Sequence, residues 1–328
     1  MPSPPSSTWT SSESAAGHRE RLIAASRPWR IATRGSRLAL WQAERVARML
    51  GGEAEMVVVS TIGDRRADVP VWSIGGTGVF VKEVEAAVLE GRADLAVHSA
   101  KDLPSETAPG LRLAAIPERA DPRDALVGLA LDAVPTGGRI GTGSVRRRAQ
   151  LAALRPDLTF GSLRGNLETR VAKAADFDAV VVAMAAMERL GLEDRVAEVL
   201  DPSVMLPQVA QGALAVECRA DDPDTVAALA ALDDPAARAE VEAERAFLRQ
   251  LGSGCDLACG ALARARPGGG AAIEVLLGSL DGHMVLRTGY EGDDPVAVGT
   301  EAARILLDDC GGRAVLEEMS VPAVVPLD

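Results

Sequence analysis

Long apolar runs are missing from this 328-residue chain, and aromatic side chains, lysine and histidine are scarce. No stretch of about 18 uncharged apolar residues occurs, which excludes a membrane-spanning helix. Aromatics make up 3% of the sequence against 47% hydrophobic residues, so its cores must be built mostly of Ala, Val, Leu and Ile. Four cysteines (Cys218, Cys255, Cys259, Cys310) do not make a disulfide framework in a chain this long. Three scattered histidines (His18, His98, His283) offer no metal-ligand spacing, and no metal is expected. Residues 1–28 lack the apolar segment of a secretory signal. Met1 to Ser14, rich in Ser, Thr and Pro, reads as a disordered tail. Arg19, Arg21 and Arg27 faintly resemble an organelle transit peptide, against which stand Glu13 and Glu20. A reducing cytosol is the expectation.

The charge is lopsided in kind as well as in amount. A net charge of −12 argues against a general nucleic-acid binder. Of 35 basic residues only Lys82, Lys101 and Lys173 are lysine, which leaves 32 arginines. A GC-rich genome accounts for most of that bias. Position, not composition, identifies arginines gathered to hold carboxylates bidentately.

From Trp29 the pattern becomes βαβ. Arg30 to Thr33 reads as a strand, Arg34-Gly35-Ser36 as a loop, and Leu38 to Leu50 as a helix with Leu40, Ala43, Ala47 and Leu50 on one face. Val57 to Ser60 is a second strand. Thr61 to Gly78 has loop composition, and its length suggests a lid. Val79 to Glu90 reads as helix, and Asp94 to Val97 as a buried strand ending at His98-Ser99-Ala100-Lys101-Asp102. A second unit repeats the outline: strand Arg139-Ile140, loop Gly141 to Ser144, helix Val145 to Leu154, and apolar strand Phe177 to Ala183. Both units put hydroxyls and arginines where a strand hands over to a helix, the usual ligand position of open α/β sheets. The last part reads as a small α+β domain. Asp234-Pro235 caps a helix through Leu251, a hairpin turns at Asp281-Gly282, and Glu301 to Asp309 is a closing helix.

Three sets of residues carry candidate chemistry. Arg34, Arg146, Arg147 and Arg148 lie at the two strand-to-helix loops, followed by Arg164, Arg170 and Arg189. Any one of them is more simply a solvated surface arginine. Three in a row opening a helix oppose its dipole, so an anionic ligand is a natural compensation. Asp102 ends an apolar strand where a carboxylate could stabilise a cation or move protons; alone, it reads more simply as a surface partner of Lys101 or a turn cap before Pro104. Cys255 sits in Gly252-Ser253-Gly254-Cys255, an open loop poorly suited to an inert buried thiol. Cys259 nearby would make a metal pair without further ligands, and a cysteine hydrolase would need His98 as its partner.

Six ordered segments make the chain more than generic. Arg30 to Ala43, Val97 to Asp102, Gly141 to Arg147, Ser162 to Asn166, Gln211-Gly-Ala and Gly254-Cys255 together resemble the porphobilinogen deaminase family, across residues 30 to about 320. The resemblance implies two periplasmic-binding-protein-like α/β lobes around a cleft plus a small C-terminal α+β domain. It implies a tail over 1–29, a first lobe over 30–117 and 213–230, a second over 118–212, and a cofactor-bearing domain over 231–328. Cys255 then matches the cysteine that carries a dipyrromethane cofactor through a thioether, and Asp102 the catalytic carboxylate. Lys101, Ser36, Thr142, Ser144, Arg146, Arg147, Arg164 and Gly165 match cofactor contacts. Arg34, Arg170, Arg189, Phe80 and Gln211 match substrate contacts, Gln211 between the lobes.

The implied reaction joins four porphobilinogen molecules with loss of ammonia, then releases a linear tetrapyrrole by hydrolysis, in a cytoplasmic monomer needing neither nucleic acid nor membrane. The growing chain must be repositioned after each addition, which gives a reason for a mobile third domain and a glycine-flanked cysteine. Thr77, Gly143, Asp256 and Ala258 depart from residues common in the family. Two other readings are a two-lobed solute-binding protein for a carboxylated ligand, which would not need Cys255, and a cysteine hydrolase.

Overall fold

The computed structural model describes residues 27–65, 78–252 and 257–320. Expectations for the tail, for most of the lid with Thr77, and for Cys255 and Asp256 lie outside the described residues. In chain order the strands are β1 (Trp29–Arg34), β2 (Ala54–Val59), β3 (Leu95–Ser99), β4 (Leu111–Ala115), β5 (Asp124–Gly128), β6 (Arg139–Gly141) and β7 (Thr159–Gly161). They continue with β8 (Ala179–Ala183), β9 (Val196–Val199), β10 (Leu214–Arg219), β11 (Cys259–Ala265), β12 (Ala271–Gly278) and β13 (Val285–Gly292).

These strands build two five-stranded sheets of matching design, ordered β2-β1-β3-β10-β4 and β7-β6-β8-β5-β9. In each, three parallel strands are followed by an antiparallel fourth, β10 or β5, that arrives directly from the other lobe. The chain therefore crosses twice, over residues 116–123 and 200–213. The crossings touch: the Ala120 amide donates to the Gly212 carbonyl at 3.2 Å. Gly212 has φ +88°, and a Cβ there would stand 2.4 Å from the Ala120 carbonyl oxygen, so only glycine fits.

Both lobes repeat one local device. A strand runs into a short loop whose last serine caps the next helix: Ser36 accepts from the Ala39 amide for helix Arg37–Leu50, and Ser144 from the Arg147 amide for helix Val145–Leu154. The inner face of the first helix centres on Gln42, Ala43 and Val46, whereas the sequence favoured Leu40. Gln42 is buried because its amide donates to the Ser99 hydroxyl at 2.8 Å. Small aliphatics fill the cores on both faces of each sheet, as the composition required, and the largest fully buried side chain is Phe247.

The C-terminal domain packs the meander β11-β12-β13 against helices Pro235–Gln250 and Pro295–Arg304. Gly299 makes the helix contact possible, since a Cβ there would fall 1.9 Å from the Ala243 carbonyl oxygen. One expectation is corrected. The closing helix begins at Pro295, capped by Asp294, passes through a wider turn over Ile305–Asp309, and is followed by another helix, Gly312–Ser320. The expected hairpin is present: Asp281-Gly282 lies in the six-residue loop between the antiparallel β12 and β13, where Asp281 accepts from the Ser279 hydroxyl.

This domain shares a continuous core with the first lobe, through Val81, Ala100, Leu103, Ile116 and Ala215. A buried ion cluster reinforces the join. Glu244 receives Arg119 at 2.7 Å, the Ala210 amide at 2.5 Å and the Ala263 amide at 2.8 Å, so one carboxylate ties both crossings to β11. Ala210 needs the help, because its φ of +59° is unusual for a residue with a side chain. Glu244→Ala strands two buried amides and leaves the buried Arg119 guanidinium with Glu240 as its one remaining carboxylate partner. The expected loss is about 3–5 kcal/mol, read as a lowered denaturant midpoint, with Glu244→Gln intermediate.

Candidate functional site

At the C-terminal edge of β1 and β3 the first lobe holds a recess lined by Arg34, Ser36, Gln42, Phe80, His98, Ser99 and Asp102. The turn Ala100–Asp102 is pinned by the Ala100 amide donating to Ala213 at 3.0 Å, which fixes where the Asp102 carboxylate emerges. Arg34 is held from two sides: it pairs with Asp64, and its guanidinium carbon lies 4.3 Å from the centre of the Phe80 ring. Burial opposes the charge on Asp64, but Arg34 and Thr61 hold its carboxyl below the usual range. Gly63 leaves room for the ring, since a Cβ there would meet Phe80 at 2.1 Å.

The arginine run opening helix Val145–Leu154 has a partner that the sequence reading did not assign. Arg146 and Arg147 are buried and share Asp124, the first residue of β5, at 2.8 and 2.7 Å. Burial alone would raise the Asp124 carboxyl; the two guanidinium groups outweigh it and hold it well below the carboxylate range. The arginine charge at the helix start is thus already offset in part by an internal anion. Arg148 departs from the pair and lies 5.8 Å from the Phe160 ring. Two cations against one carboxylate still leave positive charge, and the buried Arg146 Nε has no hydrogen-bond partner among the described residues.

Gln211 joins this cluster to the first lobe. Its amide nitrogen donates to Asp124 at 2.8 Å, while its oxygen accepts from Lys101 Nζ at 3.1 Å. Burial pushes the Lys101 amine down to about 8, with Arg147 adding repulsion and Asp102 pulling the other way. Arg170 donates to the Gly165 carbonyl at 2.8 Å; burial, then Arg147 and Arg164, push it down to about 10, against the pull of Asp102. Burial also lowers Arg164. Cations of both lobes therefore act on one another and on Asp102 across the cleft, an arrangement that an anionic ligand relieves.

The remaining expected residues are placed as follows. Thr142 is buried, and its hydroxyl accepts from the Ser144 amide at 3.1 Å. Arg189 lies at the seam between the lobes, donating to the Gly212 carbonyl at 2.6 Å and lying 5.8 Å from the Trp41 ring; it is not among the recess-lining residues. Gly143 is fitted to its surroundings, because a Cβ there would stand 2.8 Å from the Leu163 carbonyl oxygen. Ala258 is fully buried, and its carbonyl accepts from the Gly278 amide at 2.9 Å. Two residues further on, a Cβ on Gly260 would meet the Arg146 side chain at 3.4 Å, so the chain just after Cys255 runs beside the arginine cluster. Cys218, by contrast, is a buried thiol on β10, pushed up to about 11 by burial first. No three-residue metal cluster occurs among the described residues.

A two-lobed α/β protein with a carboxylate and an arginine at the strand ends of one lobe, and a buried arginine cluster where the other lobe meets it, is the class that fold and site define. A family model described as "Porphobilinogen deaminase, dipyromethane cofactor binding domain" matches residues 29–227, and the C-terminal domain model of that family matches 238–308. A porphobilinogen deaminase of Syntrophus aciditrophicus is 48% identical over 302 residues, 88% of this chain and 98% of its own length. One from Roseiflexus castenholzii is 48% identical over 298 residues, 87% and 97% of the two chains. One from Brevibacillus brevis is 42% identical, over 88% and 97%.

Among solved structures, a periplasmic domain of Bordetella pertussis BvgS aligns with a TM-score of 0.38 at 16% identity, covering 67% of this chain and 92% of that one. A Salmonella typhimurium periplasmic binding protein aligns with a TM-score of 0.36 at 12% identity, covering 63% and 91%. The chain belongs to the porphobilinogen deaminase family. Its activity is that of a hydroxymethylbilane synthase, a transferase of tetrapyrrole biosynthesis that uses a dipyrromethane cofactor. Neither the solute-binding nor the hydrolase reading is favoured.

Proposed function

We propose that Asp102 is the carboxylate at the reacting centre, that Cys255 holds the dipyrromethane by a thioether, and that the cleft arginines grip the acetate and propionate groups of cofactor and substrate. The observation that carries this reading is the convergence of Arg34, Phe80, Ser36 and Asp102 on one recess, with Lys101 and Arg170 held below their ordinary proton affinities close by. The donor set fits a polycarboxylate: guanidinium groups on both lobes, an Arg146 Nε without a hydrogen-bond partner among the described residues, and two serine-capped helix starts. When bound, the dipyrromethane supplies the free pyrrole α-carbon to which the first porphobilinogen is joined.

The chain's own residues do the rest. Arg34 and Arg170 orient incoming carboxylates, and Phe80 covers the ring beside Arg34. Asp102 accepts pyrrole N–H groups and offsets the positive charge left on the porphobilinogen methylene carbon as ammonia departs. Gln211 keeps the two cationic clusters in register. The functional units are taken as 30–117 with 213–230, 118–212 and 231–328, a division supported by the composition of the three sheets. Action as a cytoplasmic monomer without nucleic acid or membrane partner belongs to the same reading. The net charge of −12 and the lack of any membrane-length apolar helix among the described residues support its last part.

The test is direct. Freshly purified protein should give the acidic dimethylaminobenzaldehyde colour, exceed its 34.1 kDa sequence mass by a dipyrrole, and release one ammonia per porphobilinogen consumed. An active preparation at the bare sequence mass overturns the attachment.

Lys101 supplies a pH test. Its amine is charged below about pH 8 and neutral above, and a bound anion raises that midpoint. Binding of butanetetracarboxylate to cofactor-free Cys255→Ser protein at pH 9 should therefore take up a fraction of a proton, approaching about one, and weaken as pH rises further. Calorimetry in two buffers of different ionisation enthalpy measures the uptake, and Lys101→Met removes it.

A further inference from the structure

One face of the first sheet carries a buried cluster that the roles above leave unused. Glu217 of β10 pairs in register with Ala96 of β3, and His98 follows two residues later on the same face. His98 Nε2 stands 3.3 Å from a Glu217 carboxylate oxygen, with the side chains 4% and 1% exposed. The pair does not meet hydrogen-bond geometry, and these two atoms have no hydrogen-bond partner among the described residues. Contacts of this kind in catalytic pairs are often loose until substrate tightens them.

Two more groups face the pair. Glu85, on helix Lys82–Leu89, has its carboxyl pushed up by burial first and then by Glu217, with His98 and Lys82 opposing. Arg245, on helix Pro235–Gln250, donates to the Ser105 carbonyl at 3.1 Å; burial lowers it, while Glu217 supports its charge. Two carboxyls, one guanidinium and one imidazole in a dry site balance when they share one extra proton. His98 is also among the residues lining the recess that holds Asp102.

We propose that His98, oriented by Glu217, accepts the proton that a pyrrole α-carbon loses at each addition and delivers it to the departing ammonia. This rests on the deaminase reading and assigns a second group to the same recess. Each addition breaks the C–N bond of an aminomethyl group, held as ammonium, and the bond pair leaves with nitrogen as ammonia. A pyrrole π pair forms the new C–C bond. The α C–H pair returns to the ring, and its proton passes to His98 and then to ammonia. Ammonium enters and ammonium leaves, so the step needs no outside acid or base. A separate base has a further advantage: it leaves the Asp102 carboxylate ionised and ready for the cation of the next addition.

The test uses cofactor-loaded parent, His98→Gln and Glu217→Gln proteins, loading being checked by intact mass, with porphobilinogen deuterated at the free α-carbon. His98→Gln should add units at least about 100-fold more slowly, with a larger primary isotope effect than the parent and partly extended chains visible by mass. Glu217→Gln should fall between. With three histidines in the chain, nitrogen-15 spectra report which ring nitrogen of His98 is protonated. That proton should sit on Nε2 in the parent and redistribute in Glu217→Gln.

Elongation by His98→Gln within about threefold of the parent, with an unchanged isotope effect, overturns the proposal, as do imidazole spectra indifferent to Glu217. Should His98→Gln fail to fold, the Glu217→Gln kinetics and the spectra decide. A parent without a dipyrrole or ammonia release would instead strike the deaminase reading itself.

Discussion

Asp102→Asn should fold, load its cofactor and bind porphobilinogen, yet lose at least about a thousandfold in the rate of addition. The estimate comes from charge: a carboxylate about 4 Å from a cation contributes about 4 kcal/mol at an effective dielectric of 20, and an amide contributes little of it. Folding should hardly change. The turn that carries Asp102 is fixed by backbone bonds from Ala100 and Leu103, and its carboxylate accepts no hydrogen bond from the described residues. A surface substitution free of such ties stays within about 0.5 kcal/mol. Single-turnover mixing followed by intact mass reads the loss step by step. Asp102→Glu should recover part of the rate, because charge survives with its position altered. Normal turnover by the asparagine protein would remove Asp102 from the reacting centre.

Replacing Cys255 by serine should have an equally large effect by a different route. Without the thioether nothing retains the primer through successive additions, so the protein emerges at its sequence mass, gives no aldehyde colour and makes no tetrapyrrole above background. The scaffold should survive. Gly252 ends helix Pro235–Gln250 with φ +69°, and Leu257 and Ala258 are anchored in the core on the other side. The described residues on either side of 253–256 are therefore held by packing of their own. A matching thermal midpoint with abolished activity is the expected pair of results. Sustained tetrapyrrole synthesis by the serine protein would place the anchor elsewhere.

Much of this was legible before any coordinates. The two strand-to-helix loops announced themselves because hydrophobic period changes from two to nearly four just after a capping serine, at Ser36 and again at Ser144. Asp102, Cys255 and the arginines were reached through ordered motifs. Asp124 was not, and the reason is topological. In Asp121-Pro122-Arg123-Asp124 the local chemistry is that of a turn, and Asp121 does bind Arg123 in that way. The role of Asp124 exists only because β5 enters the second sheet antiparallel to β8, which brings it under arginines more than twenty residues later in the chain. The pairing of His98 with Glu217 escaped for the same reason, since it depends on β10 returning from the other lobe. The last helices were misjudged locally: Asp294-Pro295 carries the same start signal as Asp234-Pro235, and the reading began six residues too late.

The exchange of strands between the sheets also sets the order in which the lobes can be finished during synthesis. When residue 200 has left the ribosome, the second sheet has all five of its strands. The first, although begun earlier, still lacks β10, so the inner edge of β3 and the whole of β4 remain without their partner. The later lobe closes before the earlier one, and the nascent chain exposes an apolar strand edge at Leu95 to Ser99 until Leu214 to Arg219 arrive. Truncations ending anywhere between the two crossings should therefore aggregate, and chaperone dependence should be concentrated in that interval of translation.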